Sequence, residues 1–366
     1  MESIIKLDLP KNCRMLVVSD IHTNYKLLDK MLKQAKYKEG EDYLIIVGDI
    51  LEHLENNIET LNYVYDLCKA DRTYCLLGNN DTFAARMAFS YPYERFAEKF
   101  YYTEYGIDNA FLQMAKSVGY NSCSKDNWLD IRKAVLSKYG KQLEFLRKLP
   151  LCLETERYIF VHAGLENRPD WENTDDTYAI TVPWFLRREN PTDKWLVVGH
   201  FPTYNYNRSN ATNLPIFDYN KRIIDIDGGL GIKTACQMNL FIISKKGNDY
   251  THEVMWDTPY EKHTVNCDYS SELTPLYVDW SDQDMVILEE KDDMVKLRDN
   301  VTGNVGYIPK REVYDFDGKI HVYQFLSSFP TVKKGEQVSV CAESKNMYLV
   351  ITENAAVGWL PKEIID

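Results

Sequence analysis

Apolar runs that stop at acidic, amide or imidazole residues recur through the first two thirds of the chain. Met15–Val18 leads into Asp20 and His22, Tyr43–Asp49 ends in Gly48-Asp49, and Thr73–Gly78 leads into Asn79, Asn80 and Asp81. Between them, Tyr25–Tyr37 sets Leu27, Leu28, Met31, Leu32 and Ala35 at helical spacing, and Ile58–Ala70 reads as a second helix. Short unbroken runs rich in Val, Leu and Ile predict strands buried on both faces. Their alternation with helices predicts βαβ units around a parallel sheet, an α/β fold.

That rhythm breaks at 83–150, a stretch rich in Tyr, Phe, Lys and Leu whose clearest helices are Trp128–Tyr139 and Lys141–Leu149. It reads as a helical insertion that frames a site or as a packing subdomain. Strands then resume: Tyr158–Val161 runs into His162-Ala163-Gly164, and Trp195–Val198 into Gly199-His200. Arg222–Ile226 ends at Asp227-Gly228-Gly229, and Leu240–Ser244 closes the series. A polar, aperiodic stretch follows, so the expected division is a catalytic domain at 1–258, a linker at 259–279 and an all-β region at 280–366.

The all-β region contains an internal echo. Val305-Gly-Tyr-Ile-Pro-Lys310 returns 52 residues later as Val357-Gly-Trp-Leu-Pro-Lys362. Ahead of each lies a pair of short strands, MVILEE with MVKLRD and QVSVCAE with MYLVITE. The pattern implies two copies of one small β unit. Its apolar-Gly-aromatic-apolar-Pro motif resembles bacterial SH3-like domains, more closely in the second copy, and that resemblance implies a peptide partner for the tail.

Composition narrows the field. The chain has 366 residues, 45% of them hydrophobic and 27% charged, and a net charge of −12. That field disfavours nucleic acid and anionic membranes as partners. No stretch approaches the roughly 20 apolar residues that span a bilayer, and the N-terminus lacks a signal-peptide core. Eight cysteines without a CxxC pair indicate neither a zinc knuckle nor a disulfide scaffold, and a cytoplasmic setting is expected.

Asp20, His22, Asp49, Asn79, His162 and His200 all fall just past predicted strand ends, where open α/β sheets bind their ligands. A lone Asp after a strand is more often a helix cap, and a lone His more often a satisfied core residue. Six metal-competent side chains in one topological position point instead to a metal centre.

The order Asp20-Ile-His22, Gly48-Asp49, Gly78-Asn79, His162-Ala-Gly164, Gly199-His200 resembles the calcineurin-like metallophosphoesterases. Within them it is similar to the branch of phosphoprotein phosphatases and diadenosine tetraphosphate hydrolases. The resemblance implies a four-layer β-sandwich flanked by helices, with two divalent metal ions at the strand ends. It implies that Asp20 and His22 hold the first ion, that Asn79, His162 and His200 hold the second, and that Asp49 bridges both. Manganese is expected, with Fe, Zn, Co or Ni compatible with the same donors. A water activated between the ions would attack phosphorus in line. The stretch Val182-Pro-Trp-Phe-Leu-Arg-Arg188 fits the family's Trp-then-Arg pattern, which makes Arg187 the expected phosphate-binding cation ahead of Arg188. The plain alternative is a surface arginine pair.

Two motifs depart from the family pattern. GDxxDRG is here Gly48-Asp49-Ile-Leu-Glu52-His53-Leu54, so Glu52 replaces an aspartate and His53 an arginine that usually grips phosphate. GNH is here Gly78-Asn79-Asn80, and an amide at Asn80 cannot deliver a proton to a leaving group. His53 either takes over part of that acid role or lies on a first helical turn facing solvent. The leading function is hydrolysis of phosphate monoesters on proteins, of the serine/threonine type, or of small phosphoesters. Hydrolysis of nucleotide or dinucleotide polyphosphates is the second reading. A metal-bound scaffold that recruits partners through the tail is the third.

Overall fold

The computed structural model describes residues 4–95, 109–206, 211–278, 283–323 and 326–366. The chain forms two compact units. The first comprises Met1–Phe201, Pro215–Ile232 and Met238–Asp257, and the second comprises Pro202–Leu214, Lys233–Gln237 and Thr258–Asp366.

The first unit begins β1 (Ile4–Lys6), β2 (Asn12–Val18), α1 (Tyr25–Gln34), β3 (Tyr43–Ile46), α2 (Asn57–Leu67) and β4 (Thr73–Cys75). Three helices follow, α3 (Thr82–Phe89), α4 (Ala110–Ser117) and α5 (Trp128–Arg147). The unit then runs through β5 (Cys152–Glu154), β6 (Tyr158–Val161), α6 (Asp176–Thr181), β7 (Trp195–Val198), β8 (Ile216–Asp218) and β9 (Ile223–Asp225). The hairpin of β10 (Met238–Lys246) and β11 (Asp249–Asp257) completes it.

These strands make two mixed sheets, β11-β10-β2-β3-β4 and β1-β5-β6-β7-β9-β8. Parallel pairing links β2, β3 and β4 in one sheet and β6, β7 and β9 in the other. Met15, Val17, Ile45 and Val47 share one core with Phe160, Val197 and Ile224, so the sheets pack face to face. Alternate residues Leu16, Val18, Leu44 and Ile46 point to the opposite face and are also fully buried. Burial on both faces is the reason these strands read as unbroken apolar runs.

The insertion differs from expectation at Gly140. Trp128–Arg147 is one helix rather than two, because Trp128, Ile131, Val135, Tyr139, Leu143 and Leu146 form a single buried stripe across the glycine. A mid-helix Gly costs about 1 kcal/mol relative to Ala, and that continuous stripe offsets it. The β11 strand escaped the sequence reading because it is a largely exposed edge strand without an apolar run. Its signal was the two-residue Gly247-Asn248 turn, with Gly247 at φ +62°.

The second unit is all-β and carries two three-stranded antiparallel sets at the positions of the sequence echo. The first copy is built from β14 (Met285–Lys291), β15 (Met294–Asp299) and β16 (Val305–Pro309), and the second from β20 (Gln337–Glu343), β21 (Met347–Thr352) and β22 (Val357–Pro361). Each copy carries a bulge at the same place, between Ile287 and Glu289 and between Val340 and Ala342. Each ends in a 3₁₀ turn, Lys310–Glu312 and Lys362–Ile364. The stretch expected as a linker carries β12 (Lys262–Thr264) and β13 (Leu276–Tyr277). The β12 strand pairs with β20, and β18 (Lys319–Val322), itself paired with β17 (Val313–Phe316), takes the equivalent place on β14. The β13 strand pairs with β19 (Leu326–Ser327).

Candidate metal centre

The parallel strands of both sheets deliver their carboxyl ends to one place. Asp20 and His22 follow β2, Asp49 follows β3, Asn79 follows β4, His162 follows β6 and His200 follows β7. Asp20, His22, Asp49 and His200 have φ of +51°, +39°, +52° and +70°. Non-glycine residues in that left-handed region each cost on the order of 1–3 kcal/mol. The chain adopts it where side chains must turn back across strand ends, and neighbouring loops hold it there. Asp20 N donates to Gly48 O (3.1 Å), His22 N to Asp49 O (3.0 Å) and His200 N to Asp20 Oδ2 (3.0 Å).

The donor atoms form two overlapping sets. Asp20, His22 and Asp49 make one, Asp49, His162 and His200 the other, with atoms in each set within 4.8 Å of one another. Asp49 Oδ2 lies 3.7 Å from His22 Nε2 and 3.5 Å from His162 Nε2. His22 Nδ1 pairs with Leu51 O and His162 Nδ1 with Val47 O, both at 2.9 Å. Those bonds fix each ring through Nδ1 and turn Nε2 toward the centre, the outer-shell arrangement of metal-ligating imidazoles. Asn79 joins the second set. Its amide faces His162 Nε2 (3.0 Å) and His200 Nδ1 (2.9 Å). With the amide oxygen on that side, Asn79 Oδ1, His162 Nε2 and His200 Nδ1 converge on one point, an arrangement that suits a cation. The donor set of carboxylates, imidazoles and one amide therefore fits two divalent cations.

The donors differ in protonation: burial would lower His162, but Asp49 beside it overrides this and raises the ring to about 10. Burial, with His162 nearby, lowers His200 to about 4, so its ring is neutral as a ligand must be. Burial alone would raise Asp49, but His162 and His22 override it and hold the carboxylate ionised. Burial raises Asp20.

The other expected residues are placed as follows. Asn80 donates its backbone N to Asp49 Oδ1 (2.9 Å) and its side-chain Nδ2 to Asp49 Oδ2 (2.7 Å), so it orients the shared carboxylate. His53 is not on a helical turn. It lies in a left-handed loop at φ +73°, with its ring edge-to-face on His22 at 4.8 Å between centroids. Arg187 stacks on Trp184 at 3.9 Å, and Trp184 meets Phe201, the residue after His200, at 4.2 Å. Arg188 instead donates to Pro183 O (3.3 Å).

Three contributions were not anticipated. Asp81, fully buried, accepts from the backbone N of Asp49, Ile50, Leu51 and Gly78 and so fixes two ligand loops together. Glu52, read only as a family departure, accepts from Ala110 N at the start of α4 (3.2 and 3.3 Å). Asp225 and Asp227, at the end of β9, are buried carboxylates beyond the two donor sets. Asp81 and Asp227 carried the same signal as the ligands, an Asp just past a strand.

The glycines before the ligands are set by contact distance. A Cβ on Gly78 would lie 2.1 Å from Asp49 N and 2.2 Å from Asp49 Oδ1, and one on Gly199 would lie 2.2 Å from Asp20 Oδ2. Gly78→Ala is therefore expected to displace Asp49 and to weaken metal binding by at least about tenfold, the scale of an outer-shell loss. Calorimetric titration with Mn²⁺ checks this, and wild-type affinity in the variant would refute it.

Fold and site together define a two-sheet α/β protein with a candidate two-metal centre at its strand ends. The family model described as calcineurin-like phosphoesterase matches residues 13–228, more than half of the chain, and the chain belongs to that family. It is 27% identical over 158 residues to a symmetrical bis(5'-nucleosyl)-tetraphosphatase of Vibrio cholerae, covering 43% of this chain and 45% of that protein. A Buchnera aphidicola protein of the same name is 34% identical over 64 residues, covering 18% and 23%. The chain thus spans less than half the length of these curated relatives. Among solved structures, a protein serine/threonine phosphatase from Saccharomyces cerevisiae matches with a TM-score of 0.44 at 12% identity, covering 71% of this chain and 85% of that one.

Proposed function

We propose that the protein is a dinuclear metal-dependent phosphoesterase. Asp20 and His22 would hold one divalent cation, Asn79, His162 and His200 the other, and Asp49 both. The observation that carries this reading is Asp49 Oδ2, set between His22 Nε2 and His162 Nε2 at 3.7 and 3.5 Å. Bound there, the cations would lower the pKa of a water held between them and take up charge on the phosphoryl oxygens. Manganese is the expected metal, and Fe, Zn, Co or Ni suit the same donors. Arg187, held over the Trp184 ring, is the expected phosphate-binding cation.

Asn80 is committed to Asp49 and has no proton to give, which leaves His53 as the candidate acid for the leaving group. His53→Ala is expected to slow hydrolysis of alkyl phosphates by about 10²-fold or more, the scale of general acid catalysis. The loss with p-nitrophenyl phosphate should be far smaller, because p-nitrophenolate needs little protonation. Equal losses on both substrates would sink the assignment.

On substrate, the motif set supports phosphate monoesters, with a serine/threonine phosphoprotein first. The names of the curated relatives favour a second reading, dinucleotide polyphosphates. Manganese-dependent release of phosphate from p-nitrophenyl phosphate tests the activity itself, and its absence from metal-loaded protein would leave the scaffold reading. A panel of phosphopeptides run against diadenosine tetraphosphate then separates the two substrate classes. The paired β copies support an SH3-like identity for the C-terminal region and a peptide as its partner. The eight free cysteines support a reducing, cytoplasmic setting.

A further inference from the structure

The carboxyl ends of β6, β7 and β9 bear on the candidate metal centre. Their opposite ends border a cleft of about 500 Å³, within the size range of small-molecule sites. Arg157, Lys194, Trp195 and Arg222 line it from just ahead of these strands or from their first residue, and Tyr250 lines it from the start of β11.

Its charges are not those of an ordinary solvated surface. Glu156 borders the cleft, but its carboxylate is engaged by Lys245 at 2.6 Å and by the Tyr250 hydroxyl. Lys194 is paired with Glu154 at 2.8 Å. Among the described residues, no carboxylate lies within ion-pairing distance of Arg157 or Arg222. The Arg222 guanidinium donates to the backbone carbonyl of Asp193, whose side chain is the remaining negative group on the rim. Arg157 lies over the Tyr250 ring at 5.0 Å. Stacking of that kind orders a planar guanidinium in advance and lowers the entropy cost of binding. Two guanidiniums without a carboxylate partner, beside two aromatic rings, stand out in a chain of net charge −12.

We propose that this cleft is a second binding site, for a nucleoside monophosphate. Guanidiniums fork onto phosphate oxygens in a bidentate geometry, and the Trp195 and Tyr250 side chains line the same cleft as aromatic contacts for a planar base. The site is independent of the metal centre, which takes no part in holding the ligand.

The test titrates adenosine monophosphate into the full chain in excess chelator, followed by calorimetry and tryptophan fluorescence. Inorganic phosphate and adenosine are titrated in parallel. Saturable one-to-one binding of the nucleotide is expected, weaker for either fragment. The double variant Arg157→Ala/Arg222→Ala should lose about tenfold or more in affinity, as expected for charge-assisted bonds. Arg157→Lys/Arg222→Lys, which keeps the charge and removes the fork, should fall between. Trp195→Leu should remove most of the fluorescence change, and Asp49→Asn should leave the affinity unaltered. No saturable binding, or undiminished binding by the folded double variants, overturns the site. Inorganic phosphate bound as tightly as the nucleotide overturns the ligand assignment. Because chelator and Asp49→Asn both silence the metal centre, failure here is distinct from failure of the phosphoesterase reading.

Discussion

Replacing Asp49 by Asn is expected to cut manganese-dependent phosphate release by on the order of a thousandfold or more, since losing one neutral oxyanion donor already costs about 10²–10³. Asp49 is the one side chain common to both donor sets. An amide in its place supplies one neutral oxygen to one cation and presents an NH₂ group to the other. It also disrupts the local bonding, because Asn80 gives one N–H to each Asp49 oxygen and one of those donors would then face a donor. The fold itself should survive, because the substitution is isosteric and removes a negative charge beside Asp20. Thermal unfolding with and without Mn²⁺ separates the two effects. Wild-type protein should gain about 2.7 kcal/mol at a hundredfold excess of metal over Kd, and the variant should gain little. A variant that keeps both the metal-induced stabilisation and the activity would remove the shared-ligand reading.

The placement of the candidate ligands at strand ends is legible in the sequence because two constraints act on the same residues. Parallel strands buried on both faces must be apolar throughout, so Met15–Val18 and Tyr158–Val161 show up as unbroken runs. Whatever follows them is polar and lies at a common sheet edge, as Asp20 and His162 do. The residues that hold those ligands in place were not legible, because their partners are distant in sequence or belong to the backbone. Asp81 reaches the amides of Asp49, Ile50 and Leu51, about thirty positions away, and nothing in its own neighbourhood announces that role. His53 was ambiguous for a related reason. Periodicity around Ile58 predicts a helix, but not that the preceding loop takes a left-handed path through Glu52 and His53, which carries the His53 ring onto His22. The composition of the second unit was equally silent. The segments Pro202–Leu214 and Lys233–Gln237 belong to it by packing alone, and the exposed edge strand β12 has no apolar pattern to betray it.

Glu52 gives the second large effect, on stability rather than rate. Its carboxylate is buried against the start of α4, accepting from Ala110 N, and burial pushes its pKa up to about 8. An acid raised in the fold keeps its proton there and loses it on unfolding. Below pH 4.5, the ordinary value, both states are protonated and the group has no pH effect. Between 4.5 and 8 the unfolded chain ionises first, so stability falls as pH rises, by up to about 1.4 kcal/mol per pH unit. Above 8 both states are ionised and the loss levels off. Glu52→Gln keeps an oxygen for Ala110 N and carries no charge at any pH, so it should not share this decline. Urea unfolding in chelator near pH 5.5 and pH 8.5 should therefore show the variant gaining on the wild type by on the order of a few kcal/mol at the higher pH. Parallel stabilities at the two pH values would mean that the Glu52 carboxylate ionises as freely in the fold as out of it. The same variant bears on the site. Glu52 N donates to Asn57 Oδ1 and its side chain grips α4, so the loop that sets His53 against His22 is anchored at both ends. A protonated, neutral Glu52 suits a buried anchor for the start of α4, which it grips through Ala110 N.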